Sequence, residues 1–451
     1  MIEFFLAKMH EAGDREAIVY RSQATSYSEL ADMTAQARTW LTEYKIPAGA
    51  TVSFDGDYSP AAIALFFALA ANRNIIIPLS SDSHRHFDEF RDISTSEYDI
   101  STSATTYQLH ETGRQAEHPH YSQLRSTQSP GVVLFSSGST GKSKAIVQDL
   151  KKLMSKFQVP RKAMRMLIFL QLDHIGGINS LLYTIANQGT LIISEGRSPE
   201  QVCQAIERFR VELLPTSPTF LNLVILSHAY EKNDLSSLKL ITYGTEPMQE
   251  STLQKLSEAI PECQLQQTYG LSEVGILRSK SRSSDSLWMK VGGDEFKTKV
   301  KDGTLWIKSD SAMLGYINAP SPFDAEGYLD TGDLVEQDGE WIRIMGRRSE
   351  IINVGGSKVF PAEVESYLLN IDNVEDVVVY SEDHPITGKI VAAKFKLSKP
   401  EPLKEFKKRV LKFCKDRMPS YKIPGKIVIT EETTYNERFK RMRRFSKNYA
   451  E

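Results

Sequence analysis

The sequence predicts an α/β protein with a large N-terminal region of several subdomains, residues 1–348, and a small α+β C-terminal domain, residues 349–451. Three observations carry this. Helical patterns alternate with short β-branched runs up to about Leu305. One such run, Val132-Val133-Leu134-Phe135, stops at a loop rich in glycine and hydroxyl residues. The pattern then restarts after Gly346-Arg347-Arg348-Ser349, leaving about 100 residues, a common domain size.

Met1 to Lys8 has an early acid and a short apolar run, a helix start rather than a signal peptide. Ser26-Tyr27-Ser28-Glu29 has capping-box spacing ahead of an apolar-spaced helix from Leu30 to about Leu41. The nearly continuous apolar stretch from Ala61 to Leu69 predicts a buried helix, and Ile75-Ile76-Ile77-Pro78 a buried strand after it. From Thr95 to Pro130 the chain is polar and aperiodic, which predicts an irregular connection. Further strands are expected at 166–170, 189–193 and 238–241. In the C-terminal part, Val377-Val378-Val379 and 390–395 read as strands, and 403–413 as a basic amphipathic helix.

Composition excludes several classes of function. Apolar residues at 41% and charged residues at 25% are ordinary for a globular protein. With 55 basic and 57 acidic residues, the net charge of −2 gives no whole-chain pull towards nucleic acid or a membrane. Cys203, Cys263 and Cys414 form neither a metal motif nor a disulfide framework, which suits a cytoplasmic protein. No uninterrupted apolar run is long enough to span a bilayer.

The loop Ser136-Ser137-Gly138-Ser139-Thr140-Gly141-Lys142-Ser143-Lys144 has the chemistry of a phosphate cradle. Two glycines let backbone N–H groups approach an anion, and hydroxyls and ammonium groups supply the other donors. A Walker A loop is ruled out, because its first glycine would fall at Ser136. A plain Ser/Gly turn remains the local alternative. Five further segments follow in order: Tyr243-Gly244-Thr245-Glu246-Pro247, Gln267-Thr268-Tyr269-Gly270-Leu271-Ser272-Glu273, Gly303 to Ile307 with Gly315-Tyr316, Tyr328 to Asp333, and Gly346-Arg347 through Glu365. Together with the loop they resemble the motif series of the adenylate-forming superfamily, which includes acyl- and aryl-CoA synthetases, and the resemblance covers nearly the whole chain.

The resemblance implies ATP, Mg2+ and CoA as cofactors and a small carboxylic acid as substrate. In it, Ser137, Gly138, Ser139, Thr140, Gly141, Lys142 and Lys144 hold phosphates, while Glu273, with Thr140, holds Mg2+. Gly244, Thr245, Glu246 and Pro247 line the adenine and acyl pockets, as do Thr268, Tyr269, Gly270 and Ser272. Asp333 accepts from the ribose hydroxyls and Arg347 reaches the ribose or phosphates. Gly355 and Gly356 lie along the pantetheine arm of CoA, although a simple turn explains a glycine pair equally well. Lys440 is the mobile cation of the first half-reaction; Thr434 and Phe439 replace the family's proline and glycine there. Other departures are Ser143, Ala145, Thr304 and, at the hinge, Ser349. The small domain is expected to be mobile, closing one way for adenylation and another for thioester formation.

His174 corresponds to the family position beside the acyl carboxylate, and Ile175 stands where amino-acid adenylation domains carry an Asp, which argues against an α-amino acid. Ile178, Asn179, Leu182 and Tyr183 are expected to build one pocket wall. Gly176, Gly177, Gly244 and Gly275 would leave room for a flat ring, and Tyr183 and Tyr243 would stack on it or bond a substituent. The expected reaction is activation of a small aromatic acid to an acyl-AMP, then thioester formation with CoA. A medium-chain fatty acid, a discrete acyl carrier protein as acceptor, and a non-catalytic nucleotide binder stay open beside it.

Overall fold

A buried helix between two sheets organises the N-terminal region of the computed structural model, which describes residues 1–103, 106–137, 143–415, 417–436 and 441–442. This helix, Pro60–Ala71, is apolar on every face, and Ala61 to Ala70 are all buried. Ser59 caps it by accepting the Ala62 N–H at 3.1 Å, with Pro60 at the first helical position. The preceding helix, Tyr27–Glu43, starts with both halves of the expected capping box: Ser26 Oγ accepts the Glu29 N–H at 3.1 Å and Glu29 accepts the Ser26 N–H at 2.7 Å.

The two sheets have seven strands each. One is ordered Gly315–Tyr316, Ser143–Asp149, Gly131–Ser137, Ile75–Leu79, Thr51–Asp55, Tyr98–Thr102, Tyr107–Glu111. The other is ordered Gln264–Gln267, Leu240–Tyr243, Leu213–Thr216, Arg165–Ile168, Thr190–Ile193, Glu16–Tyr20, Gln23–Ser26, and only its last pair is antiparallel. The chain leaves strand Arg165–Ile168 to the neighbour on one side and then crosses to the other. That reversal opens a crevice beyond the carboxyl ends of the strands, where α/β folds hold ligands.

The stretch from Thr95 to Pro130 is not irregular, as the sequence suggested. It holds the antiparallel pair Tyr98–Thr102 and Tyr107–Glu111 and the helix Pro119–Ser126. Ile100 faces the core, with Tyr107 and Leu109 packed on it, while Asp99, Ser101, Gln108 and His110 alternate between them. An edge hairpin with so many polar residues has too weak a period-two signal to stand out.

A six-stranded antiparallel sheet follows over Arg278–Arg347, closed by the hairpin Leu329–Asp338 and Trp341–Arg347. From Ile352 on, a separate apolar cluster joins Val364, Val377, Val379, Phe395, Phe406 and Val410. It unites strands Val374–His384, Gly388–Leu397 and Lys426–Ile429 with helices Pro361–Leu368 and Leu403–Lys415. The fold is thus mixed α/β with a small C-terminal α+β part, as expected. Among the described residues no helix is long and apolar enough to cross a membrane.

Candidate active site

Two cavities, of about 350 Å3 and 280 Å3, lie at the crevice and share Thr245, Thr268, Gly270, Leu271 and Arg347 as walls, so they form one groove. The first is bounded by strand ends, including Thr216, Thr242 and Gly244, and by the start of helix Ile175–Ala186. Close approach explains Gly244: a Cβ there would lie 2.7 Å from the Thr268 carbonyl oxygen.

Local folding puts the charged groups in place. Asp333 and Arg347 are directly opposed across the antiparallel hairpin, which brings carboxylate and guanidinium to one face. Arg347 Nε lies 3.2 Å from Asp333 Oδ1, and the Tyr269 O–H donates to Oδ2 at 2.5 Å. Asp333 is only 6% exposed. Burial raises its pKa, against the pull of Arg347 and the Tyr269 hydroxyl. Burial, reinforced by Asp333, holds the Tyr269 phenol well above its ordinary value, so it remains a donor. All three residues line the second cavity.

Glu273 lines the first cavity and accepts the Tyr316 O–H at 2.7 Å. Lys144 lines the same cavity, its Nζ 5.1 Å from the Tyr316 ring centre. Strands Gly131–Ser137 and Ser143–Asp149 pair with Ser136 opposite Lys144, and both residues border the cavity. His174 caps helix Ile175–Ala186, its Nδ1 accepting the Gly176 N–H at 3.0 Å. A neutral ring then carries its proton on Nε2, a donor suited to a carboxylate oxygen.

The C-terminal segment reaches the groove. Asn436 and Arg441 line the second cavity, and the Arg441 N–H donates to Glu246 Oε1 at 2.6 Å. Glu246 Oε2 accepts the Thr219 hydroxyl at 2.6 Å, so this carboxylate ties a strand-end turn to the C-terminal segment. Arg441 is anchored in turn by Asp376, 3.0 Å from its guanidinium, and by the Val377 carbonyl.

The groove therefore gathers Lys144, His174, Ile175, Gly176, Asn179, Gly244, Thr245, Thr268, Gly270, Ser272, Glu273 and Arg347 around the first cavity. Around the second it adds Glu246, Pro247, Tyr269 and Asp333. Gly138, Ser139, Thr140, Gly141, Lys142 and Lys440 lie outside the described residues, as does the Ser137 side chain.

Several expected wall residues are elsewhere. Tyr243 is fully buried in the core behind the sheet, because strand alternation turns it away while Thr242 faces the cavity. On helix Ile175–Ala186 the cavity face is Ile175, Gly176, Asn179 and Ser180, two pairs four residues apart. Ile178 and Leu182 consequently point into the core, and the Tyr183 hydroxyl donates to the Lys162 carbonyl at 3.1 Å. Gly176 borders the cavity, but Gly177 does not make room for a ring: a Cβ there would fall 1.9 Å from the Gln171 carbonyl oxygen, so it serves close packing. Gly275, at φ +82°, serves the tight turn between Gly270–Leu271 and Gly275–Ile276. Gly355 and Gly356, at φ +54° and +88°, form the two-residue turn between Ile352–Val354 and Ser357–Val359 and border neither cavity.

Sequence reading also missed residues. Tyr316 sat unused in the Gly315-Tyr316 motif, and Arg441 beside Lys440. Lys156, which donates to Asn179 Oδ1 at 2.6 Å, carries no motif signal at all.

A nucleotide and its metal fit the donor set. Two buried polar atoms on the walls, Thr216 Oγ1 and Gln267 Oε1, have no hydrogen-bond partner among the described residues, as expected where a polar ligand completes the bonding. No group of three or more His, Cys, Asp or Glu among the described residues would hold a metal ion. Glu273 borders the first cavity, and Mg2+ is held by one or two carboxylates with its other ligands from phosphates and water.

Residues 83–317 match the AMP-binding enzyme family and residues 363–440 the AMP-binding enzyme C-terminal domain. The 2-succinylbenzoate–CoA ligase of Bacillus subtilis (strain 168) is 25% identical over 95% of this chain and 94% of its own. Acyl-CoA synthetase 7 of Caenorhabditis elegans is 29% identical over 69% of this chain and 64% of its own. A probable CoA ligase of Humulus lupulus is 30% identical over 55% and 51%. The matched part of this chain thus spans less than two thirds of the last two relatives. Among solved structures, the o-succinylbenzoate CoA synthetase of Bacillus subtilis with its acyl-adenylate superposes with a TM-score of 0.76 at 21% identity, covering 98% of this chain and 96% of that one. An anthranilate CoA ligase with anthranoyl-AMP gives 0.79 at 18% identity, covering 96% and 93%. These two likenesses establish a shared fold.

Proposed function

This chain belongs to the AMP-binding enzyme family, and from that premise we propose that it is an AMP-forming acid–CoA ligase acting on a small aromatic carboxylic acid. In the first half-reaction a carboxylate oxygen attacks the α-phosphorus of ATP. The bond to the bridging oxygen of pyrophosphate breaks, leaving an acyl-adenylate. In the second, the CoA thiol attacks the acyl carbon and AMP departs. Both reactants of the first step are anions, so catalysis is mainly alignment and charge neutralisation.

The observation that carries this reading is the single groove holding a nucleoside-type end, Asp333 with Tyr269 and Arg347, and an acid end, His174 at a helix N-terminus. Asp333 accepts the ribose hydroxyls, and His174 donates to the acid. Lys144 and Arg347 face the phosphates. Glu273, oriented by Tyr316, would hold Mg2+ together with Thr140, and the ion would supply neutralisation of phosphate charge. An ammonium and an amide beside the acid cavity are poor lining for an alkyl tail, which favours an aryl acid over a medium-chain fatty acid. A cytoplasmic location belongs to the same reading, supported by three free, buried cysteines.

The test is pyrophosphate release with benzoate, 2-aminobenzoate, 4-hydroxybenzoate, octanoate and acetate, each with and without CoA. At least one aryl acid should exceed octanoate about tenfold in kcat/KM, or about 1.4 kcal/mol of transition-state preference. The reverse ranking overturns the aromatic assignment. Release that no acid supports, alongside measurable ATP binding, would instead indicate a non-catalytic binder. Thioester formation only with a discrete carrier protein would replace CoA as acceptor.

The same reading places the domain boundary at 348/349, with the small domain rotating between half-reactions. Support comes from the separate apolar cluster beginning at Ile352 and the short 3-10 helix Arg348–Glu350 at the junction. Limited proteolysis should cut first between 340 and 360 and slow several-fold with ATP plus acid. A first cut elsewhere, unaffected by ligands, would count against a hinge there.

A further inference from the structure

The acid end of the groove has a feature that an unsubstituted aromatic acid would not use. Asn179 lies on the helix that His174 caps, four residues beyond its first residue Ile175, or about 6 Å along the axis at 1.5 Å per residue. That is roughly the distance across a benzene ring from its carboxyl to a substituent on the far side. Behind Asn179, Lys156 reaches in from the short helix Lys156–Gln158. Its Nζ donates to Asn179 Oδ1 at 2.6 Å and to the Ile276 carbonyl at 3.1 Å, and both acceptor residues line the first cavity.

An ammonium only donates, so the amide oxygen of Asn179 must be the atom facing Lys156. The two N–H bonds of Nδ2 are thereby left for the cavity that Asn179 lines, and Nδ2 has no hydrogen-bond partner among the described residues. The lysine also draws electron density from the amide, making those N–H groups better donors. Among the described residues no carboxylate lies within ion-pair distance of Lys156; Glu295 is the strongest charge acting on it, and attracts it from beyond that distance. Arg161 and Arg278 oppose its charge and only Glu295 supports it, while Glu295 itself pairs with Arg278 at 3.2 Å. Burial, the largest influence, brings the Lys156 pKa down to about 8. A cation held without a counter-ion beside a ligand cavity is costly unless the ligand supplies one.

Building on the ligase reading, we infer that the activated acid carries a second carboxylate remote from the reacting one, received by Asn179 with Lys156 as the positioning residue behind it. Lys156 fixes the flip of the amide and supplies the charge, and Asn179 makes the contact.

The test compares each monoacid with its dicarboxylate partner: benzoate with isophthalate and terephthalate, and octanoate with suberate. Two readouts are taken on the full-length enzyme, pyrophosphate release and, without ATP, acid binding by calorimetry. In wild type at least one dicarboxylate should surpass its monoacid about tenfold in kcat/KM. Lys156→Met and Asn179→Leu should shrink that ratio to about threefold or less, chiefly through KM, and Lys156→Arg should recover part of it. Melting temperature monitors folding of each variant.

The two proposals fail in different ways. Turnover of monoacids without any dicarboxylate preference overturns this inference and leaves the ligase reading standing. So does a dicarboxylate preference that Lys156→Met does not alter. Tight dicarboxylate binding that Lys156→Met weakens about tenfold, with no pyrophosphate release from any acid, supports the inference and overturns the ligase reading. No binding of any dicarboxylate overturns the inference.

Discussion

Replacing Lys440 with alanine is expected to slow acyl-adenylate formation by about 10²- to 10³-fold while changing ATP affinity by less than about threefold. The reason is where the charge is needed. As the carboxylate closes on the α-phosphorus, two anions approach, and a cation between them counts for most at the transition state. ATP alone, already held through ribose and phosphates, needs it little. Lys440 precedes Arg441, whose backbone N–H donates to Glu246 and whose side chain is fixed on Asp376, so the chain next to this lysine is tethered at the groove. Two assays separate its role. Pyrophosphate exchange, which reports adenylation, should collapse. Thioester formation from supplied acyl-adenylate and CoA, which bypasses the attack on phosphorus, should stay within about threefold of wild type. A variant that exchanges pyrophosphate at near wild-type rate would remove Lys440 from the chemistry.

The fold was legible where burial is two-sided and composition therefore extreme. Helix Pro60–Ala71 and strand Ile75–Leu79 are apolar throughout and are found within two residues of their expected places. The capping box at Ser26 announced a helix by local chemistry, independent of tertiary context. The edge hairpin Tyr98–Glu111 was not legible, because one face is enough to hold an edge strand and its other residues are free to be polar.

The site divides along the same line. Asp333, Arg347, Tyr269 and Glu273 sit in motifs whose residue types the chemistry demands, so sequence was enough to single them out. Which atoms wall the acid end depends instead on helix phase. A rotation of about 100° per residue sends Asn179 into the cavity and Ile178 into the core, and a spacing argument without a fixed phase cannot choose between them. Lys156 was invisible for a further reason. It acts from a different element, through a bond to Asn179, and nothing local to residue 156 announces that. Gly355-Gly356 is the opposite case: two positive φ angles in a hairpin turn account for the pair as well as a CoA-binding role does, so residue type alone does not choose between them.

Asp333→Asn should raise the KM for ATP about 10- to 100-fold while leaving the unliganded protein no less stable at neutral pH. The first part follows from hydrogen bonds to an ionised acceptor being worth about twice those to a neutral one, with two ribose hydroxyls to hold. The second follows from burial. In the folded protein the Asp333 pKa lies above its ordinary value, since desolvation outweighs Arg347 and Tyr269. Between the ordinary and the folded pKa the native state binds the proton that the unfolded chain has lost, so stability falls as pH rises through that window. Above it, the ionised carboxylate is a standing cost, which asparagine lacks. Its amide oxygen can still accept the Tyr269 hydroxyl, and Arg347, its side chain 52% exposed, can turn to water. The melting temperature of the variant should therefore equal or exceed that of wild type near pH 7, with the difference shrinking towards pH 4. Thermal melts at several pH values and ATP titrations at pH 7 provide the check. A variant that melts more than about 5 °C lower at pH 7 would make Asp333 a structural strut, since a shift that size corresponds to about 1 to 2 kcal/mol in a domain of this kind. Unchanged ATP affinity would detach it from the ribose. Should both parts hold, the carboxylate is kept charged at the expense of stability, and the reason for keeping it so is the nucleotide.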